Sequence, residues 1–317
     1  MKLIAGALIA LVAALAISAI VTFHPQETMA PDPVHTSVPT GRHYLGVSVP
    51  GEPLSMAGVR RFASATGTRP NLVSYYTPWY VAFDVAAATQ VNNYGALPLI
   101  FLDSGRVPVR EIAYGGGPWL AGYARAVKAF GRPVAISFDS EFNGPWWLWG
   151  YTHVSPATYV AAWHRIVNTF RAVGATNVIW IWDVAVSGPN TTALRPWWPG
   201  ASYVDWVGVN GYWHHPDYTF HSIFGRTFTQ VRAITQKPLL ITETGANPSA
   251  ERAANVAALF RGVKGTRGLI GFTWFDYDKS PTHDYRINGD VPALSVFRRE
   301  ARRYRLIEIK KATLAAK

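Results

Sequence analysis

"SPATYVAAWHRIVNTFRAVGATNVIWIWD", residues 155–183, decides the fold, because it holds one complete helix and the strand that follows it. Ser155 is suited to cap a helix, Pro156 to open it and Gly174 to end it. Tyr159, Trp163, Ile166, Phe170 and Val173 recur at helical spacing, so one face is buried and Trp163 belongs to the core. "NVIWIWD" (177–183) is apolar with no polar alternation, the mark of a strand covered on both faces.

Outward from this unit the pattern repeats. Four apolar, β-rich runs precede it, "YLGVSV" (44–49), "NLVSYY" (71–76), "LPLIFLD" (97–103) and "PVAISFD" (133–139), and three follow, "VDWVGVN" (204–210), "PLLITE" (238–243) and "LIGFTWFD" (269–276). Helical stretches separate many of them, for example "SAERAANVAALFRGVKG" (249–265). Eight covered strands alternating with helices predict an α/β fold, a single (β/α)8 barrel over residues 42–305. An open doubly wound sheet is the alternative. Against nucleotide binding, "GGG" at 115–117 follows no strand and has no Lys-Ser/Thr partner.

The chain has 317 residues, 49% hydrophobic and 15% charged, and no cysteine, which excludes a disulfide framework, a thiolate metal site and a cysteine nucleophile. Residues 1–23, "MKLIAGALIALVAALAISAIVTF", carry one lysine and then an apolar stretch long enough to cross a bilayer, so they read as a signal peptide or a membrane anchor. The Pro-rich residues 24–41 read as a linker, and the expected location is extracellular or cell-surface. The net charge is +11, of which "RREARRYRLIEIKK" (298–311) supplies +5. Residues 306–317 read as a basic tail that could meet a membrane or cell-envelope surface. Nucleic acid does not suit an exported chain.

In such a barrel the C-terminal strand ends build the active site. Asp103, Asp139, Glu141, Asp183, Glu243 and Asp276 all fall there. Glu141 and Glu243 lie after the fourth and on the seventh strand, on opposite sides of the mouth, as the two carboxyls of a glycosidase must. Asp139 either points into the barrel or fixes the loop. The adjacent His214 and His215 lack the spacing of a helical zinc pair and read as a surface loop, and no metal or cofactor is expected. Trp197 and Trp198 suit an outer sugar subsite or a packed loop equally.

"EFNGPWWLWG" (141–150), "VDWVGVNGYW" (204–213) and "LLITETG" (239–245) resemble, in this order, the acid/base, sixth-strand and nucleophile motifs of the glycoside hydrolase family 26 β-mannanases. The resemblance implies a retaining endo-β-glycosidase acting on a β-linked polysaccharide, mannan by default, by double displacement. Glu141 would be the acid/base and Glu243 the nucleophile, oriented by Tyr212. Trp146 and Trp274 would contact the sugar, and Asn143, Trp149 and Trp182 are placed with them as substrate-binding residues. Ser140 departs from the histidine the family often has before the acid/base, which leaves another cell-envelope or acidic glycan open. A non-catalytic carbohydrate-binding barrel is a further alternative, although binding alone does not need two opposed carboxyls.

Overall fold

The computed structural model describes residues 38–309 apart from 52, 53, 116 and 281. The predicted signal or anchor, and nearly all of the linker, lie outside the described residues. Eight parallel strands close in sequence order: β1 (Tyr44–Ser48), β2 (Leu72–Pro78), β3 (Leu97–Asp103), β4 (Val134–Phe138), β5 (Val178–Ala185), β6 (Trp206–Asn210), β7 (Leu239–Thr244) and β8 (Leu269–Phe275), with β1 paired to β8. The helices are α1 (Ala57–Thr66), α2 (Val85–Tyr94), α3 (Val109–Tyr114), α4 (Pro118–Phe130), α5 (Pro156–Val173), α6 (Phe220–Arg232), α7 (Arg252–Gly265) and α8 (Val291–Arg302).

Helix α5 begins and ends where its sequence requires. The Ser155 hydroxyl accepts from the Thr158 N–H, and Gly174, at φ 75°, donates back to Arg171 and Phe170. Tyr159, Trp163, Ile166 and Phe170 are buried on the side facing the barrel, each contributing on the order of 2–3 kcal/mol. The Trp163 indole satisfies its N–H on the Tyr203 carbonyl at 3.0 Å. Between β5 and β6 the chain makes two short 3-10 turns instead of a helix, because Gly188, Pro189, Pro196, Pro199 and Gly200 interrupt any longer one. Trp197 takes up the space, 5.1 Å from Phe142 and 5.5 Å from Tyr159 between ring centres. Trp197 is thus core, and Trp198 packs edge-on against Trp182.

Two apolar layers result. One lies between sheet and helices. The other fills the lower barrel with Tyr44, Leu72, Leu99, Phe101, Ile181, Trp206, Leu240 and Ile270. Residues 306–309, assigned to the tail from sequence, belong to this lower end. Leu306 pairs with His43, the Asn71 amide donates to the Ile307 carbonyl at 2.9 Å, and Ile307 and Ile309 pack under the barrel. Their apolar side chains outweigh the basic character of the surrounding stretch.

Candidate active site

The chain leaves β4 by a sharp turn. Asp139 and Glu141 both adopt left-handed backbone, at φ 46° and 58°, a conformation that costs non-glycine residues on the order of 1–3 kcal/mol each. Neighbours hold it there. The Asp139 carboxylate accepts the Ser104 N–H at 2.7 Å, and the Glu141 N–H donates to the Asp183 carbonyl at 3.1 Å. Asn143 ties the loop to β5 by giving to and taking from Ala185 at 2.9 and 2.8 Å. It is fully buried, so this residue positions the loop and does not touch a ligand.

The Asn-Gly that follows Glu141 has a steric cause. A Cβ on Gly144 would come 2.2 Å from the Trp146 ring, so only glycine lets that indole fold back over the loop. The Trp146 N–H then donates to Glu141 Oε2 at 2.7 Å, and the Trp147 N–H reaches the same oxygen at 3.2 Å. Gly144→Ala is therefore expected to swing Trp146 off Glu141, lowering turnover at least tenfold while the melting temperature stays within a few degrees, checked by steady-state kinetics and thermal unfolding. Trp149 is 6% exposed, stacks on Trp147 at 5.1 Å and donates to the Ser140 carbonyl at 2.8 Å. It supports the exposed Trp147 from beneath and leaves only an edge for substrate.

Across the mouth, irregular β6–β7 pairing brings Glu243 opposite Asn210. Such a bulge re-aims a side chain, as strand irregularities beside active sites commonly do. Both carboxyl oxygens of Glu243 are occupied: the Tyr212 hydroxyl donates to Oε2 at 2.6 Å and the Tyr76 hydroxyl to Oε1. Sequence reasoning missed Tyr76. Leu72, Ser74 and Tyr76 alternate on one face of β2, and the last of them stands at its C-terminal end, the signal that could have found it. Its ring stacks on Phe101 at 4.9 Å.

Trp274 and Trp182 require correction. Both are 0% exposed and face the helix layer: Trp274 packs on Phe297 of α8 and donates to the Tyr285 carbonyl, and Trp182 packs on Phe142 and Trp198. Ile270 points into the barrel, and unbroken alternation would send Trp274 there too. Gly271, at φ 154° and backed against the Tyr44 carbonyl, adds a residue opposite β7 and flips the remainder of β8. Phe275 takes the inner position, edge-on to Tyr212 and stacked on Tyr277 at 4.3 Å.

Beneath the pair lies a floor of buried acids. Asp183 is 0% exposed and stands in register with Gly208, where a Cβ would come 2.6 Å from the Asp183 carboxyl carbon and 2.8 Å from the Thr242 hydroxyl. Burial holds Asp183 and Asp139 well above the usual carboxylate range, and burial, with the charges of Glu243 and Glu141, pushes Asp103 up to about 8. Burial first and the Glu141 charge second raise Glu243 to about 7, against the pull of the two phenols and Lys279. Burial and the Glu243 charge keep both phenols protonated as donors. His214, at the rim, lies tilted beside Tyr212 and edge-on to His283 and is held low by burial. Asp276 lies to the side, accepting the Ile287 N–H at 2.8 Å.

Beside the tryptophans opens a cleft of ≈ 390 Å³, lined by Pro78, Asp103, Trp146, Trp147 and Trp149 among others. Two carboxyls thus lie on opposite sides of a barrel mouth, Glu243 held by two phenols and Glu141 by two exposed indoles, and known proteins resemble the chain that carries them in sequence and in fold. Endoglucanase H of Acetivibrio thermocellus is 27% identical over 271 residues, 80% of this chain and 30% of its own length. Mannan endo-1,4-beta-mannosidase of Bacillus subtilis is 30% identical over 125 residues, 36% of this chain and 31% of that protein. The chain thus spans about a third of these curated relatives. A family 26 β-mannanase from Bacteroides ovatus superposes with a TM-score of 0.65 at 16% identity, covering 85% of this chain and 91% of that one, a likeness of fold. The sequence profile described as "Glycosyl hydrolase family 26" matches residues 120–288, from α4 through the strands that carry both glutamates to the turn before α8, and the chain belongs to that family.

Proposed function

We propose that this protein is an exported endo-β-glycosidase that cleaves a β-linked polysaccharide by double displacement, with Glu243 as nucleophile and Glu141 as acid/base. The observation that carries this reading is the asymmetric hydrogen bonding of the two carboxyls. Both oxygens of Glu243 accept phenol hydroxyls, which favours the carboxylate. On Glu141 only Oε2 accepts, from the two indoles, and Oε1 has no hydrogen-bond partner among the described residues. In this mechanism the proton for the leaving group is carried on Glu141 Oε1, the carboxyl oxygen that accepts from no donor among the described residues and is open to the substrate's oxygen. From there it passes to the departing glycosidic oxygen as Glu243 attacks the anomeric carbon. Glu141 then takes a proton from the water that releases the sugar.

The experiment is reducing-end release from a panel of mannan, glucomannan, β-glucan and acidic β-glycans, with proton NMR of the first product. Release with the β configuration kept supports the reading, and inversion overturns it. Mannan is the first substrate to try, since one relative is named as a mannan endo-1,4-beta-mannosidase, but another is named as an endoglucanase. Ser140, which puts a hydroxymethyl group where the family often has an imidazole, is the reason the panel also holds acidic and mixed-sugar glycans. Export rests on the apolar segment 1–23 and is checked by fractionating cells that express the full chain.

The phenols have their own test. Each stabilises the charged form of Glu243, so Tyr76→Phe and Tyr212→Phe are expected to raise the acidic limb of the kcat/KM profile by about one pH unit each. An unmoved limb would show that the phenols do not govern the nucleophile.

A further inference from the structure

The cleft beside Trp146 and Trp147 does not end at the active site. A second hollow of ≈ 360 Å³ continues it, and the two share Gly105, Leu148 and His153 as common walls. The chemistry changes along this groove. Its inner part is aromatic, with Trp146 48% and Trp147 42% exposed, whereas Arg106 and Arg110 line the outer part and, among the described residues, no acid does.

Both arginines are exposed, and neither forms an ion pair among the described residues. The acid next to Arg110 in sequence, Glu111, is held by the Tyr80 hydroxyl at 3.0 Å and does not line the groove. At the inner end Asp103, raised to about 8 by burial, is mostly uncharged at neutral pH. Gly105, at φ 60°, turns the chain out of β3 and starts the loop that carries Arg106, one of the βα loops that meet substrate in barrels of this kind.

We propose that this groove is an extended subsite for an anionic glycan, in which the chain leaves the catalytic pair over the tryptophans and sets a carboxylate- or phosphate-bearing sugar against Arg106 and Arg110. Indole faces hold the apolar face of any pyranose and so do not select for charge. Guanidinium forks match carboxylate and phosphate alike, and here they have no competing acid. The inference rests on the glycosidase reading and names its substrate class more narrowly.

The test separates the two. Binding is measured calorimetrically on the full chain carrying Glu141→Gln, so that it does not depend on turnover, with three matched β-linked oligosaccharides: neutral, uronate-substituted and phosphate-substituted. One or both acidic ligands are expected to bind about tenfold more tightly than the neutral one, with the advantage shrinking as salt rises. Whichever acidic arm shows the gain identifies the source of the anion. Arg106→Ser with Arg110→Ser should remove the advantage and leave neutral binding unchanged. Equal affinity for all three ligands, or an acidic preference that survives the double substitution, overturns the proposal. Hydrolysis of a neutral glycan by the parent protein without any acidic preference overturns the subsite and leaves the glycosidase standing. An arginine-dependent preference with no hydrolysis of any ligand supports the subsite and overturns the glycosidase.

Discussion

Glu243→Gln is expected to lower turnover on the true substrate to background, and Glu141→Gln to lower it by on the order of 10²–10⁴-fold, the contribution typical of a positioned general acid. The two effects differ in kind. Without Glu243 no covalent intermediate forms, so a substrate with an activated leaving group does not recover the rate. Without Glu141 the first step still proceeds when the leaving group needs no proton, and the intermediate then accumulates. Added azide distinguishes them: with Glu141→Ala it should attack the intermediate and give the β-glycosyl azide, and with Glu243→Ala it should replace the nucleophile and give the α anomer. Parent rates in either Gln variant would discard the mechanism. Neither substitution should unfold the protein, because a glutamine at 243 accepts from one phenol and donates to the other while removing a buried charge.

The barrel is expected to lose stability as the pH rises from about 6.5 to 8.5. Asp103 is raised to about 8 and Glu243 to about 7, from ordinary values of 3.8 and 4.5, and Asp139 and Asp183 are also well above theirs. Over that range the native state keeps protons that the unfolded chain has already released, so the slope of unfolding free energy with pH is negative. The stabilisation is complete below the unfolded values, near pH 4, and is lost as the pH passes through the folded ones. Asp276, raised to about 6, gives up its share mostly below this range. His43 and His214 are half-buried and held below 6.5, so they act in the opposite sense, but only beneath that value. Urea midpoints across this range should fall by an amount worth several kcal/mol. The fall should be shallower in Asp183→Asn, which has no charge to expose there. A flat or rising curve would mean that the buried acids are solvated in the native state.

Where much of the candidate site lies could be read in the sequence. Glu141 and Glu243 were legible because each follows or lies within a short apolar run, and the strand ends of a parallel barrel converge whatever the details of packing. Tyr212 was legible through its motif. Tyr76 was not, because its partner Glu243 is 167 residues away and the contact exists only once the barrel has closed. Asn143 was misread as a ligand for a similar reason: nothing local says that its amide spans the gap to Ala185.

By itself the sequence determined the eight strands, the limits of α5 and the side of the barrel on which the acids gather. These follow from apolar periodicity, caps and breakers, all of which act over a few residues. Only the tertiary structure decided which residue of β8 faces the mouth. One extra residue at Gly271, imposed by packing against Tyr44, exchanges the two faces of the strand and buries Trp274 behind Phe275. It also decided the protonation of the site. The same carboxyl is an ordinary acid in the extended chain and one raised to about 7 when the barrel removes its water and sets Glu141 nearby.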